Sequence, residues 1–125
     1  MRLSRLISVT ILSTIFSLII VQLLLKNLIG RARPFEVIEG INLFIKRPTS
    51  YSFPSGHSSI SGIGFMLSFY YLKKKTIKYT SMTVFFLIAI SRLIIRVHFL
   101  SDVIVGFMLA VTIVFLVKKY YNKKI

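Results

Sequence analysis

The stretch LISVTILSTIFSLIIVQLLL, residues 6–25, runs for 20 residues without a charged side chain. As a helix rising 1.5 Å per residue it reaches ~30 Å, the thickness of a bilayer's hydrocarbon core. Arg2 and Arg5 precede it and Lys26 follows at once. An apolar run behind a basic N-terminus is also the layout of a secretory signal peptide. No small-x-small cleavage site follows, however, so the stretch reads as a retained membrane span.

Three further apolar stretches lie downstream, at roughly 54–72, 79–95 and 99–117. Their charge-free parts (60–72, 79–91 and 103–117) are each shorter than a full span. His57, Arg92, His98 and Asp102 extend them, all near the ends, where ionisable groups meet the interface and by default point to function. The expected fold is all-α: a transmembrane helix bundle of about four spanning helices, forming a single membrane domain over 1–125. Between the first two spans, the 35–53 loop carries Val37, Ile38, Ile41, Phe44 and Ile45 at helical spacing. Either a short interfacial helix or an ordered loop with apolar anchors fits that pattern.

Composition agrees. The 125 residues are 55% hydrophobic with a mean hydropathy of +0.80, yet 17 Lys and Arg stand against 3 Asp and Glu, a net charge of +14. A soluble domain this apolar exposes large greasy patches, and a disordered chain needs low hydrophobicity. The bases alternate with apolar runs instead of forming one basic arm, which argues against nucleic acid. With no cysteine there is no disulfide framework and no thiolate site. Ten bases (Arg2, Arg5, Lys73, Lys74, Lys75, Lys78, Lys118, Lys119, Lys123 and Lys124) fall on one side of the expected membrane and seven on the other. The fuller side is expected to be cytoplasmic, with both termini inside a multi-pass cell-membrane protein. The Lys73–Lys78 and Lys118–Lys124 clusters read as anchors at anionic lipid. Ser58, Ser61, Gly62 and Gly64 read as a face for close helix packing.

The opposite, extracytoplasmic side collects the chemistry. The end of the first span brings Lys26, Arg31, Arg33 and Pro34. The start of the second brings Pro54, Ser55, Gly56 and His57, and the turn between the last two brings Ser91, Arg92, Arg96, His98 and Asp102. Lys and Arg donate to oxyanions, Arg bidentately. Ser55 and Gly56 follow a proline at a helix start, where free N–H groups favour an anion. Phosphate fits each part. His98 and Asp102, at i and i+4, share a helical face, so the carboxylate can fix the ring's tautomer and improve its other nitrogen as a nucleophile. His57 is left as a general acid. Only Glu36, Glu39 and Asp102 are carboxylates, too few for a two-metal phosphatase. The scheme needs no metal and no cofactor.

Lys26-x6-Arg33-Pro34, Pro54-Ser55-Gly56-His57 and Ser91-Arg92-x5-His98-x3-Asp102 together resemble the three motifs of the type-2 phosphatidic acid phosphatase superfamily, which also holds the vanadium haloperoxidases. All eleven motif positions are present in order, over 26–34, 54–57 and 91–102. The resemblance implies roles for the matching positions. His98 is the nucleophile that forms a phosphohistidine, Asp102 orients it, and His57 protonates the leaving group and then activates water. Lys26, Arg33, Ser55, Gly56 and Arg92 hold the phosphoryl oxygens, while Pro34, Pro54 and Ser91 shape the site. Arg31 and Arg96 fall outside the fixed positions and receive no catalytic role.

The implied activity is hydrolysis of a lipid phosphate or isoprenoid diphosphate, of the undecaprenyl diphosphate, phosphatidylglycerophosphate or phosphatidate class. The haloperoxidase members are soluble, unlike this chain. Membrane members usually carry six spans, with the first motif after the third, whereas one span precedes Lys26 here. The chain therefore resembles the family's catalytic four-helix core without the first two helices, either a minimal enzyme, for which a homo-oligomer is one expectation, or a fragment whose missing helices a partner supplies. The alternative is a catalytically silent scaffold that keeps the phosphate pocket.

Overall fold

Between Arg2 and Ile29 the chain contains neither proline nor glycine, and it forms one uninterrupted helical rod. The computed structural model describes residues 2–124. The rod begins as α1 (Arg2–Ser17), widens into a π-helical stretch (Leu18–Leu25) and ends as α2 (Lys26–Ile29). At the close of the wide stretch the Lys26 N–H reaches back five residues to the Val21 carbonyl. Gly30, in the left-handed region at φ +59°, stops the rod, as a glycine C-cap does. Pro34 then occupies the first position of α3 (Pro34–Val37), a single turn held by the Arg33 N–H donating to Glu36 Oε2 at 2.6 Å.

The interfacial helix considered for the 35–53 loop does not extend past Val37. Ile38 is already extended at φ −111° and ψ 120°, which ends the turn, Gly40 follows at φ +79°, and Phe44 stands 95% exposed on an irregular loop. Apolar anchors on a loop describe this segment.

Three antiparallel helices complete the bundle: α4 (Gly56–Tyr71), α5 (Lys75–Ile94) and α6 (Leu100–Lys123). Ser55 caps α4, its Oγ accepting from Ser58 N at 3.3 Å. Arg96, at φ +61°, makes the reversal after α5. That left-handed turn is its structural task. Three helical segments are long and apolar enough to cross a membrane: the N-terminal rod, α5 and α6. The fourth expected span, α4, has 16 residues, or ~24 Å. It is short because its first turn belongs to a polar site and Lys73–Lys75 end it.

α4 is the central helix, packed against α1, α5 and α6. Small residues permit that closeness, as expected from their spacing. Ser58, Ser61 and Gly62 are buried, and Gly64 lies under the Phe85 ring. The Ser17 and Ser59 hydroxyls bond across the α1–α4 seam. Val9, Ile63, Ala110, Ile113, Val114 and Val117 form the apolar core. α5, by contrast, turns Val84, Phe86, Leu87 and Ile88 outward.

Candidate active site

The three sequence segments meet at one end of the bundle, and a backbone bond begins the assembly. The Ser55 N–H donates to the Asp102 carbonyl at 3.0 Å, tying the start of α4 to the first turn of α6. Gly106, one turn further along α6, lies directly against the Ser55 carbonyl. The Ser52 N–H donates to the Arg31 carbonyl at 2.8 Å, which brings in the segment after the first helical rod.

Arg33 is buried, and its guanidinium is used on every side. Nε donates to Ser50 O at 2.8 Å, Nη2 to Ser50 Oγ at 3.1 Å and Tyr51 O at 3.3 Å, and Nη1 to Val97 O at 2.9 Å. Nη1 also lies 3.3 Å from His98 Nε2. A guanidinium only donates, so Nε2 is the acceptor and the proton of the neutral ring sits on Nδ1. His98 is 6% exposed. Burial pushes its basicity below the ordinary imidazole value of 6.5; the Asp102 carboxylate opposes this, while Arg33 and Lys26 reinforce it. The ring is thus neutral at pH 7, with an electron pair on Nε2.

Asp102 is fully buried at the third position of α6. Its Oδ2 accepts from Phe99 N at 2.8 Å, which caps the helix, and from Ser52 Oγ through a very short bond. Its Oδ1 accepts from Arg31 Nη1 at 2.8 Å. His98 Nδ1 stands 3.6 Å from Oδ2, beyond a normal hydrogen bond, and 3.5 Å from Ser52 Oγ.

The remaining expected residues surround this pair. Lys26 is buried, with Arg33 and Asp102 as its charged neighbours. His57, exposed at the second position of α4, has Arg92, His98, Lys26 and Arg33 in electrostatic reach. Ser91 Oγ donates to Ile88 O at 2.6 Å and accepts from Arg92 Nε and Nη2 at 3.2 and 3.1 Å, so it holds that guanidinium against the end of α5. Ser55 Oγ accepts from Ser58 N and Ser58 Oγ, which leaves its own proton as a donor. Among the described residues, the N–H groups of Gly56 and His57 have no protein acceptor. Pro34 and Pro54 are both buried beneath the site. All the residues singled out from sequence therefore lie at one end. Arg31, placed on this face from the sequence but given no role, bonds Asp102, and two residues were missed: Ser52 on Asp102, and Gln22, whose amide fills the space a Cβ at Gly56 would take. Only the nearness of Arg31 and Ser52 to the motifs hinted at them.

Residues 6–125 match the model of the PAP2 superfamily. This chain belongs to that superfamily. It is the family that the three motifs resemble. Among curated PAP2 relatives, the chain is 29% identical over 113 residues to an undecaprenyl-diphosphatase of Sulfolobus acidocaldarius, covering 90% of this chain and 54% of the relative. It is 34% identical over 84 residues to phosphatidylglycerophosphatase B of Bacillus subtilis, covering 60% and 41%. The chain thus spans about half the length of the curated relatives it matches. The crystal structure of a transmembrane PAP2-type phosphatidylglycerolphosphate phosphatase from Bacillus subtilis superposes with a TM-score of 0.76 at 28% identity, over 91% of this chain and 58% of that one. Aquifex aeolicus LpxE gives 0.74 at 28% identity, over 95% and 68%.

Proposed function

We propose that this PAP2 protein is a membrane phosphatase that hydrolyses a lipid phosphate or isoprenoid diphosphate through a phosphohistidine on His98. One observation carries the reading: a buried, neutral imidazole whose Nε2 faces a guanidinium while its Nδ1 faces a serine–carboxylate pair. The similarity to proteins named for undecaprenyl diphosphate and phosphatidylglycerophosphate supports the substrate class.

In the first step Nε2 of His98 attacks phosphorus, forming an N–P bond as the P–O bond to the lipid breaks. His57 gives its proton to the departing oxygen. Lys26, Arg92, the Ser55 hydroxyl and the N–H groups of Gly56 and His57 hold the equatorial oxygens, where charge accumulates, and the Arg33 Nη1 proton that rests on His98 Nε2 turns to them as that nitrogen bonds phosphorus. In the second step water gives a proton to His57 and its oxygen bonds phosphorus. The N–P bond breaks and its electron pair returns to Nε2. The charge balance supports an anionic substrate. Lys26, Arg31, Arg33 and Arg92 face Asp102 and Glu36, an excess of two positive charges that a phosphate dianion neutralises. The lysine and arginine distribution supports an extracytoplasmic site with both termini cytoplasmic.

The test is a phosphate-release panel in detergent over dioctanoyl phosphatidate, phosphatidylglycerophosphate and farnesyl diphosphate. Wild type should release phosphate from at least one, with vanadate inhibiting. His98→Ala should abolish both turnover and covalent labelling by radioactive substrate. Labelling retained in that variant refutes the nucleophile assignment.

A further inference from the structure

Asp102 is the most heavily used carboxylate in the molecule, and two of its partners lie outside the three motifs. Arg31 Nη1 bonds Oδ1 at 2.8 Å and also donates to Ser101 Oγ at 2.6 Å. The same guanidinium stacks 4.0 Å over the Phe99 ring. It is therefore locked onto the first turn of α6. Ser52, fully buried, donates its single hydroxyl proton to Oδ2. Having given up that proton, it presents only lone pairs to His98 Nδ1, 3.5 Å away. The two residues are themselves joined, Ser52 N to Arg31 O. They form one clamp on Asp102, Ser52 on the oxygen that looks toward the imidazole and Arg31 on the other.

Resting on the reading of His98 as nucleophile, we propose that Arg31 and Ser52 are positioning residues that set the tautomer and basicity of His98 through Asp102. Ser52 Oγ and Asp102 Oδ2 together face Nδ1 with lone pairs, which holds the proton on that side and keeps the electron pair on Nε2. Arg31 neutralises the far oxygen, so the carboxylate orients the ring without converting it to imidazolium. The other charged groups facing His98 are Arg33 on the Nε2 side, with Lys26 and His57 in electrostatic reach and Arg92 beyond His57.

The sign follows from charge. Replacing Arg31 by methionine removes a cation and leaves the Asp102 charge uncompensated, and both changes favour imidazolium. The chain has only two histidines, so ring 15N NMR of the full chain in detergent, with His57→Gln for assignment, reads His98 without any turnover. Wild type should show the Nδ1–H tautomer. Arg31→Met should raise the His98 titration midpoint by about one unit. Arg31→Lys, which keeps the cation and disturbs packing least, should restore the midpoint. In an Asp102→Asn background Arg31→Met should shift the midpoint much less, because only the direct loss of the cation remains, which a merely structural role does not predict. Ser52→Ala should admit a minor Nε2–H population beside the Nδ1–H form that Arg33 still favours, and lower kcat for dioctanoyl phosphatidate about tenfold with little change in KM, the loss of one hydrogen bond. An unmoved midpoint in Arg31→Met, or an unchanged tautomer in Ser52→Ala, overturns the proposal. If wild type releases no phosphate while the NMR shifts appear as stated, the catalytic reading fails and the clamp on His98 stands.

Discussion

Replacing Gly106 by alanine places a methyl group where α6 meets the start of α4. A Cβ built there lies 2.4 Å from the Ser55 carbonyl oxygen and 3.2 and 3.3 Å from Ser55 N and C. The closest contact is about 1 Å short of the 3.4 Å at which ordinary contact begins. The clashing atoms are backbone, with no flexible side chain to swing aside, so the two helices must part by about that amount. Overpacking of this kind costs about 1–3 kcal/mol. The larger effect is on chemistry. The same seam holds the Ser55 N–H on the Asp102 carbonyl, and Gly56 and His57 follow directly. A displacement of ~1 Å in a positioned catalytic group costs about 10²-fold in rate. Gly62→Ala is the control. Its Cβ meets Phe107 O at 2.7 Å and the Ala110 Cβ at 2.8 Å, a comparable clash in the same α4–α6 seam, with Gly62 itself six residues, or ~9 Å, along α4 from Gly56. The assay pairs kcat for phosphate release with thermal unfolding in one detergent. Gly106→Ala should lose about 10²-fold in kcat and Gly62→Ala far less, at similar losses of stability. Equal losses of kcat in the two variants, or full activity in Gly106→Ala, refute the view that this seam sets the catalytic geometry.

Three further outcomes follow from the same geometry. Because burial holds His98 below 6.5, imidazolium forms only at lower pH. The acid limb of kcat/KM, where activity falls as the nucleophile gains a proton, should therefore be centred below pH 6.5 in a buffered phosphate-release assay, and a midpoint above that value contradicts the His98 environment described. His57→Ala should slow hydrolysis of an alkyl phosphate by ~10²–10⁴-fold, with substantial recovery on a nitrophenyl phosphate whose leaving group needs no proton; no recovery would assign the residue to binding. Ser17→Ala should remove the α1–α4 hydroxyl pair at a cost of about 1 kcal/mol in a reversible detergent-unfolding titration, and it should leave kcat unchanged.

Hydrophobic runs and the ends of those runs carried most of what could be read in advance. An uncharged 20-residue stretch has few options other than a membrane helix, and ionisable groups cluster at helix ends because the bilayer excludes them elsewhere. The common end of the bundle was legible for the same reason. Local backbone detail was not. The stretch Leu18–Leu25 has the composition of any apolar helix, and nothing in it announces the wider π winding that leads into Lys26. The 35–53 pattern of apolar residues was helical in spacing, but the backbone leaves the helix at Ile38, which is extended, before Gly40 turns it to the left-handed region. Arg31 and Ser52 were out of reach because their partner lies 71 and 50 residues away in sequence, and only the docking of α4 on α6 brings it to them.

The bonds that build this end of the bundle are also the bonds that arrange the site. One carboxylate, that of Asp102, caps α6 through Phe99 N, pairs with Arg31, anchors Ser52 and faces His98. One serine, Ser55, caps α4 and ties its backbone to Asp102. A buried carboxylate is costly unless every lone pair finds a donor, and here three donors from three separate segments meet that demand. Removing any one leaves Asp102 partly unsatisfied. The requirement that polar groups be satisfied, stringent in a chain this apolar, favours the same geometry that the proposed attack by His98 requires. Tolerance to substitution should therefore fall steeply between the apolar core around Val114, where shape alone is at stake, and the Asp102 cluster, where each atom serves both fold and site.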